Sequence, residues 1–258
     1  MKKWISLVLC VVLIGTLAAC GGQPTAQPEP AANEETGSDA TPVNLSSGTS
    51  SESAAEADGV MPFNQLTEWQ QGNGFDPETT AILVIDDYGG DWYGDETPEQ
   101  PFLNAFDIVK AGREAGLPVI FVDDAHLAGI DHELELWGEH GLAGDPTSLP
   151  LTGFDIQDSD YLIEKRRYDG FFQTDLDITL RELGVDTLIA FGTDTNICVL
   201  QTLSTAYYLG YNIIVPEDAC TNELGVGTHE GAIDYFVRCY GARIVSTETI
   251  IDEIKAVI

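Results

Sequence analysis

Histidine is concentrated in one short stretch of the 258-residue chain, DDAHLAGIDHELELWGEH at positions 123–140, which holds three of the four histidines. Asp124 and His126 are two residues apart at the end of an extended segment, so both side chains lie on one side of it. His132 and His140 follow in a loop that can fold back. One carboxylate and up to three imidazoles suit Zn²⁺, or iron or manganese, with a position left open for substrate. We therefore predict a metal site here, and no organic cofactor.

A cysteine, a lysine and an aspartate stand where covalent catalysis could occur. Cys198 falls in the first turn of a predicted helix, where unpaired N–H groups and the helix dipole lower the pKa of a thiol and can hold an oxyanion. Lys165, one of only three lysines after position 3, closes an apolar strand, and Asp86 closes another. Together they outline a nucleophile, a charge partner and a proton carrier. A core cysteine and a lysine leaving the sheet edge are the alternatives.

The elements that must position these residues alternate along the chain. Apolar runs predict strands at 79–88, 117–124, 160–165, 185–192, 211–219 and 242–246, and helical spacing predicts helices at 101–116, 174–184, 195–210, 229–241 and 247–258. This alternation predicts an α/β fold of three αβα layers around a central, mostly parallel sheet. Sites in such folds form at the carboxyl ends of the strands, where the residues above lie.

The first 60 residues differ from the rest of the chain. Lys2 and Lys3 precede an apolar run that ends in LAAC, and this ending resembles the lipobox of bacterial lipoproteins. The resemblance implies a signal peptide at 1–19, lipidation of Cys20, and export to the bacterial cell membrane. An ordinary signal peptide or an uncleaved anchor is the alternative. Residues 20–60 are rich in Ala, Pro, Ser, Thr and Glu and predict a flexible tether, which leaves 61–258 as one domain.

Charge and cysteine content narrow the possible partners. The chain has 43 acidic and 11 basic residues and a net charge of −32, so its surface repels phosphates, and we expect no nucleic acid partner. Three cysteines remain in the predicted domain, and an odd number leaves at least one thiol outside any intramolecular disulfide. The sequence leaves open whether the chain forms a homo-oligomer.

Four segments together resemble the isochorismatase-like cysteine hydrolases, which include nicotinamidases. They are AILVID ending at Asp86, the block EKRRYDGFFQTDLDITLRELGVDTLIAFG around Lys165, GTDTNICV with Cys198, and LGYNIIVPEDACT. The resemblance implies a catalytic triad of Asp86, Lys165 and Cys198. It also implies a cis peptide bond between Thr193 and Asp194, with the N–H groups of Asp194 and Cys198 holding the oxyanion.

The chemistry implied by the resemblance is covalent hydrolysis of a small amide. Asp86 takes the proton of Cys198, the thiolate attacks the carbonyl, and water then hydrolyses the thioester. Isochorismatases that cleave a vinyl ether lack this cysteine, so Cys198 favours cleavage of a C–N bond in a nicotinamide-like, carbamoyl or ureido compound. The alternatives are a vinyl-ether hydrolase and a lipoprotein that binds a ligand or a metal without catalysis.

The family pattern is matched in some pocket positions and broken in others. Tyr88 stands where Gln is common, we expect Trp92 to replace a substrate-stacking Phe, and Thr193–Asp194 replaces a smaller or aliphatic pair. The segments DAH and WGEH match the metal-binding pattern of nicotinamidases, in which the metal anchors the substrate ring, and His132 matches an additional ligand of some members. Metal-free relatives keep the W-x-x-H turn with a structural histidine, which is the alternative for His140.

Overall fold

The computed structural model describes residues 65–258. The expected signal peptide, Cys20, the tether and the first residues of the expected domain lie outside this range. Within residues 65–258, no helix is both long enough and apolar enough to cross a membrane.

Six parallel strands form one central sheet. They are β1 (Thr80–Ile85), β2 (Val119–Asp124), β3 (Tyr161–Lys165), β4 (Thr187–Gly192), β5 (Asn212–Pro216) and β6 (Arg243–Val245), in the spatial order β3-β2-β1-β4-β5-β6. Every residue of β1, β2 and β4 is buried, as expected for strands covered on both faces. The predicted strands are confirmed, and the sheet is parallel throughout.

Helices cover this sheet and complete the three predicted layers. They are α1 (Glu68–Gln71), α2 (Gln100–Glu114), α3 (Leu134–Trp137), α4 (Leu176–Glu182), α5 (Leu200–Leu209), α6 (His229–Tyr240) and α7 (Thr247–Lys255). The five predicted helices are confirmed as α2 and α4 to α7, whereas the one-turn helices α1 and α3 have too few residues to give a periodic signal. Helix α2 packs against α7, and α5 packs against α6.

The strand order places a crevice between β1 and β4. The chain leaves β1 toward β2 on one side and leaves β4 toward β5 on the other, so the connections diverge at the carboxyl edge of the sheet. Gly192, at the end of β4, permits the close approach of the two strands. Its φ is 139°, and a Cβ there would lie 1.9 Å from the carbonyl oxygen of Ile85.

Two helix starts differ from the sequence prediction. The predicted helix at 195–210 begins with a π-helical turn, Thr195–Val199, before α5. The predicted helix at 174–184 begins later, at Leu176, with Asp175 at the N-cap position, and the Thr174 hydroxyl accepts the Leu176 N–H at 3.3 Å. Helix α7 is capped by the Ser246 hydroxyl, which accepts the Thr249 N–H.

Candidate active site

Four strand ends bring a lysine, two aspartates and a cysteine together. The Lys165 Nζ lies 2.7 Å from Asp86 Oδ2, 2.5 Å from Asp124 Oδ1 and 3.8 Å from Cys198 Sγ. Lys165 is 0% exposed, so its charge is balanced within the protein rather than by water. The structure therefore places the three expected triad residues in one buried cluster, and it adds Asp124, which sequence reasoning had assigned only to the metal site.

Asp86 is held in this cluster by its backbone and by a neighbouring strand. It follows β1 directly and has a φ of 54°, in the left-handed region that non-glycine residues rarely adopt. Its N–H donates to the Val122 carbonyl at 3.1 Å, and its Oδ1 accepts the Asp124 N–H at 3.0 Å. These contacts turn the second carboxylate oxygen toward Lys165.

Burial raises the pKa of both partners in the proton transfer from Cys198 to Asp86. Burial, reinforced by the charge of Asp124, raises the pKa of Asp86 to about 7, although Lys165 and a hydrogen bond from the Cys198 thiol oppose this rise. Burial and the nearby Asp86 raise the pKa of the Cys198 thiol well above its usual value. A carboxylate with a pKa near neutrality is suited to act as a general base.

The raised pKa of Cys198 corrects the sequence prediction. The prediction placed the thiol in the first turn of an α-helix, where the dipole would lower its pKa. Cys198 lies instead within the π-helical turn and is buried, and desolvation penalises the thiolate. Activation of this thiol therefore depends on Asp86 as a base and on Lys165 as a counter-ion.

The two other charged groups are held in their ionised forms. Burial lowers the pKa of Lys165, but the charges of Asp86, Cys198 and Asp124 outweigh it and raise the pKa well above its ordinary value. For Asp124, burial acts upward, but Lys165 and His126 together outweigh it and lower the pKa to about 2. The lysine is thus a permanent cation between the two carboxyl groups.

The peptide bond between Thr193 and Asp194 is cis, at the position that the family resemblance implied. The Thr193 N–H donates to the Ile85 carbonyl at 2.9 Å, and its hydroxyl donates to Asp87 Oδ1 at 2.9 Å. The Asp194 carboxylate accepts the N–H groups of Glu223 and Leu224. Both residues are therefore fixed beside Cys198 by contacts with two separate segments, 85–87 and 223–224.

A cavity of about 390 Å³ opens over the cluster and is lined by Asp86, Cys198, Thr193 and Asp194. The expected pocket residues Tyr88 and Trp92 both line it. Tyr88 donates its hydroxyl toward Asp124 Oδ2 at 3.4 Å, whereas Trp92 is 57% exposed. The remaining apolar and aromatic walls are Phe102, Trp137, Tyr168, Ile197 and Leu224. This size and lining suit a small, partly aromatic molecule.

A second cluster adjoins the first and could hold a metal ion. One ligand atom from each of Asp124, His126, Glu133 and His140 lies within 4.8 Å of the other three. Both ring nitrogens of His126 are buried without a hydrogen-bond partner in the described residues, which is unusual for a buried polar group and is what a metal ion would satisfy. The donor set of two imidazoles and two carboxylates fits Zn²⁺, iron or manganese.

The structure does not bring the expected ligand His132 into this group. It is exposed and lies outside the cluster, and its neighbour Glu133 is buried there instead. Adjacent residues in this turn point in different directions, so only one of the two can face His126. The signal that could have identified Glu133 is a glutamate within a histidine-rich stretch, but its spacing in a loop gives no orientation.

Asp131 anchors the loop that carries these ligands, a role that sequence reasoning missed. It is buried, forms a two-point ion pair with Arg166 and accepts the Leu127 N–H at 2.8 Å. Hydrogen bonding from Arg166 holds the pKa of Asp131 well below its usual range. Because Arg166 directly follows Lys165, the end of β3 positions both clusters.

The remaining histidine and cysteines lie away from this chemistry. His229 contacts the Thr195 hydroxyl through Nδ1 at 2.9 Å. Among residues 65–258, Cys198, Cys220 and Cys239 are all free thiols, and Cys239 alone of the three is exposed.

Comparison with known proteins identifies a family and individual enzymes with similar sequences. The chain matches the family described as Isochorismatase domain over residues 80–249. It is 28% identical over 211 residues to the ureidoacrylate amidohydrolase RutB of Pantoea ananatis, covering 70% of this chain and 84% of that protein. Because the family match runs from β1 into α7, it contains all four members of the buried cluster.

Two solved structures share the fold over nearly their whole length. N-carbamoylsarcosine amidase from Thermoplasma acidophilum matches with a TM-score of 0.58 and 32% identity, covering 66% of this chain and 97% of that one. Nicotinamidase PncA from Bacillus subtilis matches with a TM-score of 0.57 and 27% identity, covering 65% of this chain and 99% of that one. Nearly the whole of each of these chains is thus represented here.

Proposed function

This chain belongs to the isochorismatase family of hydrolases, and we propose that it is a cysteine amidohydrolase that cleaves a C–N bond of a small amide through a thioester. The observation that carries the proposal is the contact of one buried lysine with Asp86, Asp124 and Cys198. A site that only binds a ligand has no need of a thiol, a base and a buried cation together. The relatives named as a ureidoacrylate amidohydrolase, an N-carbamoylsarcosine amidase and a nicotinamidase support the same reaction class.

Acylation begins with the thiol proton. Asp86 accepts the proton from Cys198, and Lys165 stabilises the resulting charges. The thiolate attacks the amide carbonyl, and the N–H groups of Asp194 and Cys198 hold the oxyanion. Asp86 then gives its proton to the nitrogen as the C–N bond breaks, which releases ammonia or an amine and leaves the acyl group on sulfur.

Deacylation reverses the roles of the same groups. A water molecule attacks the thioester while Asp86 accepts its proton, and the carbon–sulfur bond breaks. The proton returns to Cys198, so one amide and one water give one acid and one amine. Asp86 thus acts twice as base and twice as acid, which a pKa near neutrality permits.

The metal would have a supporting role. Asp124, His126, Glu133 and His140 would hold it at one side of the cavity, where a bound cation would anchor a substrate ring or polar group. Orientation of the carbonyl over Cys198 then remains with Tyr88, Trp92 and the cavity walls.

A panel of amides, assayed with the wild type and with two cysteine variants, tests the proposal. We expect ammonia release from at least one compound among nicotinamide and carbamoyl or ureido compounds, a loss of more than about 10³-fold in Cys198→Ala, and full activity in Cys239→Ala. Mass spectrometry of the quenched wild-type reaction should show an acyl group on Cys198. If Cys198→Ala hydrolyses the same compound at the wild-type rate, the covalent route is wrong.

We also propose that the enzyme is exported and attached to the bacterial cell membrane through a lipid on Cys20. The support is the sequence alone: a short apolar run that ends in LAAC, followed by a tether-like composition. Metabolic labelling with a fatty-acid analogue should label the wild type and Cys10→Ser but not Cys20→Ser. Equal labelling of Cys20→Ser would refute the lipid anchor.

A further inference from the structure

The active-site cavity is lined by acidic side chains and, within residues 65–258, by no arginine or lysine. The acids are Asp86, Asp124, Glu133, Asp194 and Glu223. Lys165 lies behind them, buried between two carboxylates. A substrate in this cavity therefore meets carboxyl groups and, among the described residues, no arginine or lysine side chain to pair with.

Four of the five acids already have partners within the protein. Asp86 and Asp124 share Lys165, and the Asp194 carboxylate accepts two backbone N–H groups. Glu133 lies 3.8 Å from the His126 ring. A divalent metal in the second cluster would neutralise Asp124 and Glu133 further. None of these acids has to be balanced by the substrate.

Glu223 is the exception. It is exposed at the cavity wall beside the apolar Leu224, and no salt bridge to it forms in the described part of the chain. Partial burial, reinforced by the acidic neighbours Asp194 and Glu99, raises its pKa, and these two acids crowd the Glu223 carboxylate with like charge. A bound group that is cationic or donates a hydrogen bond would relieve this crowding, whereas a carboxylate would add to it.

We propose that the substrate is an amide whose remaining part is uncharged or positively charged, and that Glu223 determines this preference by excluding carboxylates. The proposal rests on the amidohydrolase function given above and narrows its substrate class. Ureidoacrylate and N-carbamoylsarcosine are carboxylates and nicotinamide is not, so the cavity favours the nicotinamide type. The net charge of −32 adds a long-range field of the same sign.

Charge-matched thiol reagents test the preference without any substrate. Cys198 lines the cavity, Cys220 is buried away from it, and Cys239→Ala removes the exposed thiol. In that background, the rate of Cys198 alkylation by neutral iodoacetamide is compared with that by anionic iodoacetate, and the ratio is divided by the ratio for glutathione. Aminoethyl and sulfonatoethyl methanethiosulfonate give a second pair, cationic against anionic.

We expect the normalised ratio of the iodoacetamide rate to the iodoacetate rate to be about 10 or more. Local charge changes association rates by factors in this range. Glu223→Gln keeps the hydrogen bond from its backbone N–H to Asp194. It should lower the normalised ratio at least about threefold, toward the value of 1 that glutathione defines. Glu230→Gln, an exposed acid of α6 that does not line the cavity, is the matched control and should leave the ratio unchanged.

Steady-state turnover supplies the second arm. Nicotinamide should be hydrolysed with a higher kcat/KM than a ring-carboxylated nicotinamide, and Glu223→Gln should reduce that difference. Equal alkylation by the neutral and anionic reagents, or a normalised ratio that is the same in Glu223→Gln, would overturn the role of Glu223. An inert amide panel with an intact alkylation preference would contradict the amidohydrolase function instead.

Discussion

Replacement of Asp87 by asparagine should make the stability of the domain less dependent on pH. Asp87 is 1% exposed, accepts the Thr193 hydroxyl at Oδ1, and has no hydrogen-bond partner at Oδ2 among the described residues. Burial, with smaller effects of Asp86 and Glu223, raises its pKa from 3.8 to about 8, although the bond from Thr193 opposes the rise. Asparagine preserves the acceptor for Thr193 and cannot ionise.

The sign and size of the effect follow from proton uptake on folding. Between pH 3.8 and about 8, Asp87 is protonated in the folded state and ionised in the unfolded state, so the wild type loses stability as the pH rises. One group contributes about 1.4 kcal/mol per pH unit in this window. From pH 5 to pH 7 the free energy of unfolding of Asp87→Asn should therefore gain up to about 2.7 kcal/mol relative to the wild type.

Urea unfolding at pH 5, 6 and 7, followed by tryptophan fluorescence, measures this difference. Asp86 and Asp123 also have raised pKa values from burial, but both are present in the two proteins, so only the part of their titration that is coupled to Asp87 enters the comparison. Asp107→Asn, at an exposed position of α2, is the control and should differ from the wild type by a constant. A constant difference for Asp87→Asn as well would show that Asp87 is ionised in the folded protein, and the reasoning from burial would fail.

Three further predictions concern the site and the sheet. Lys165→Met should lower the free energy of unfolding by about 3–5 kcal/mol, because it leaves two buried carboxylates without their cation, and thermal unfolding at pH 7 would reveal it; a change below about 1 kcal/mol would mean that the pair is solvated. Glu133→Gln should weaken Zn²⁺ binding at least about 10-fold in calorimetric titration, whereas His132→Ala should bind as the wild type does, since only Glu133 faces the other ligands; the reverse pattern would restore the ligand set expected from the sequence. Gly192→Ala should cost about 1–3 kcal/mol or prevent folding, because its Cβ would meet the Ile85 carbonyl; wild-type stability in denaturant would contradict the close approach of β1 and β4.

The sequence was sufficient for features that depend on local pattern and topology. Apolar runs located the strands, and the rule that sites form at carboxyl ends of parallel strands selected Asp86 and Lys165, which the structure indeed brings to 2.7 Å. It was not sufficient where orientation or burial decides. His132 and Glu133 are adjacent in a loop, and no periodicity there indicates which one turns inward. The predicted direction of the Cys198 pKa shift was wrong, because an argument from the helix terminus contains no information on desolvation.

Asp124 explains why the two clusters cannot be understood separately. Its Oδ1 contacts Lys165 at 2.5 Å and lies 3.5 Å from His126, while its Oδ2 faces Tyr88 at 3.4 Å and His140 at 3.8 Å. One carboxylate therefore fixes the cation beside the thiol and contributes to the metal-binding group. A cation bound by the histidines would share this carboxylate with Lys165. Among the described residues, no histidine of the stretch forms a hydrogen bond with the Cys198 thiol. The histidine-rich stretch is nevertheless linked to that thiol through Asp124 and Lys165.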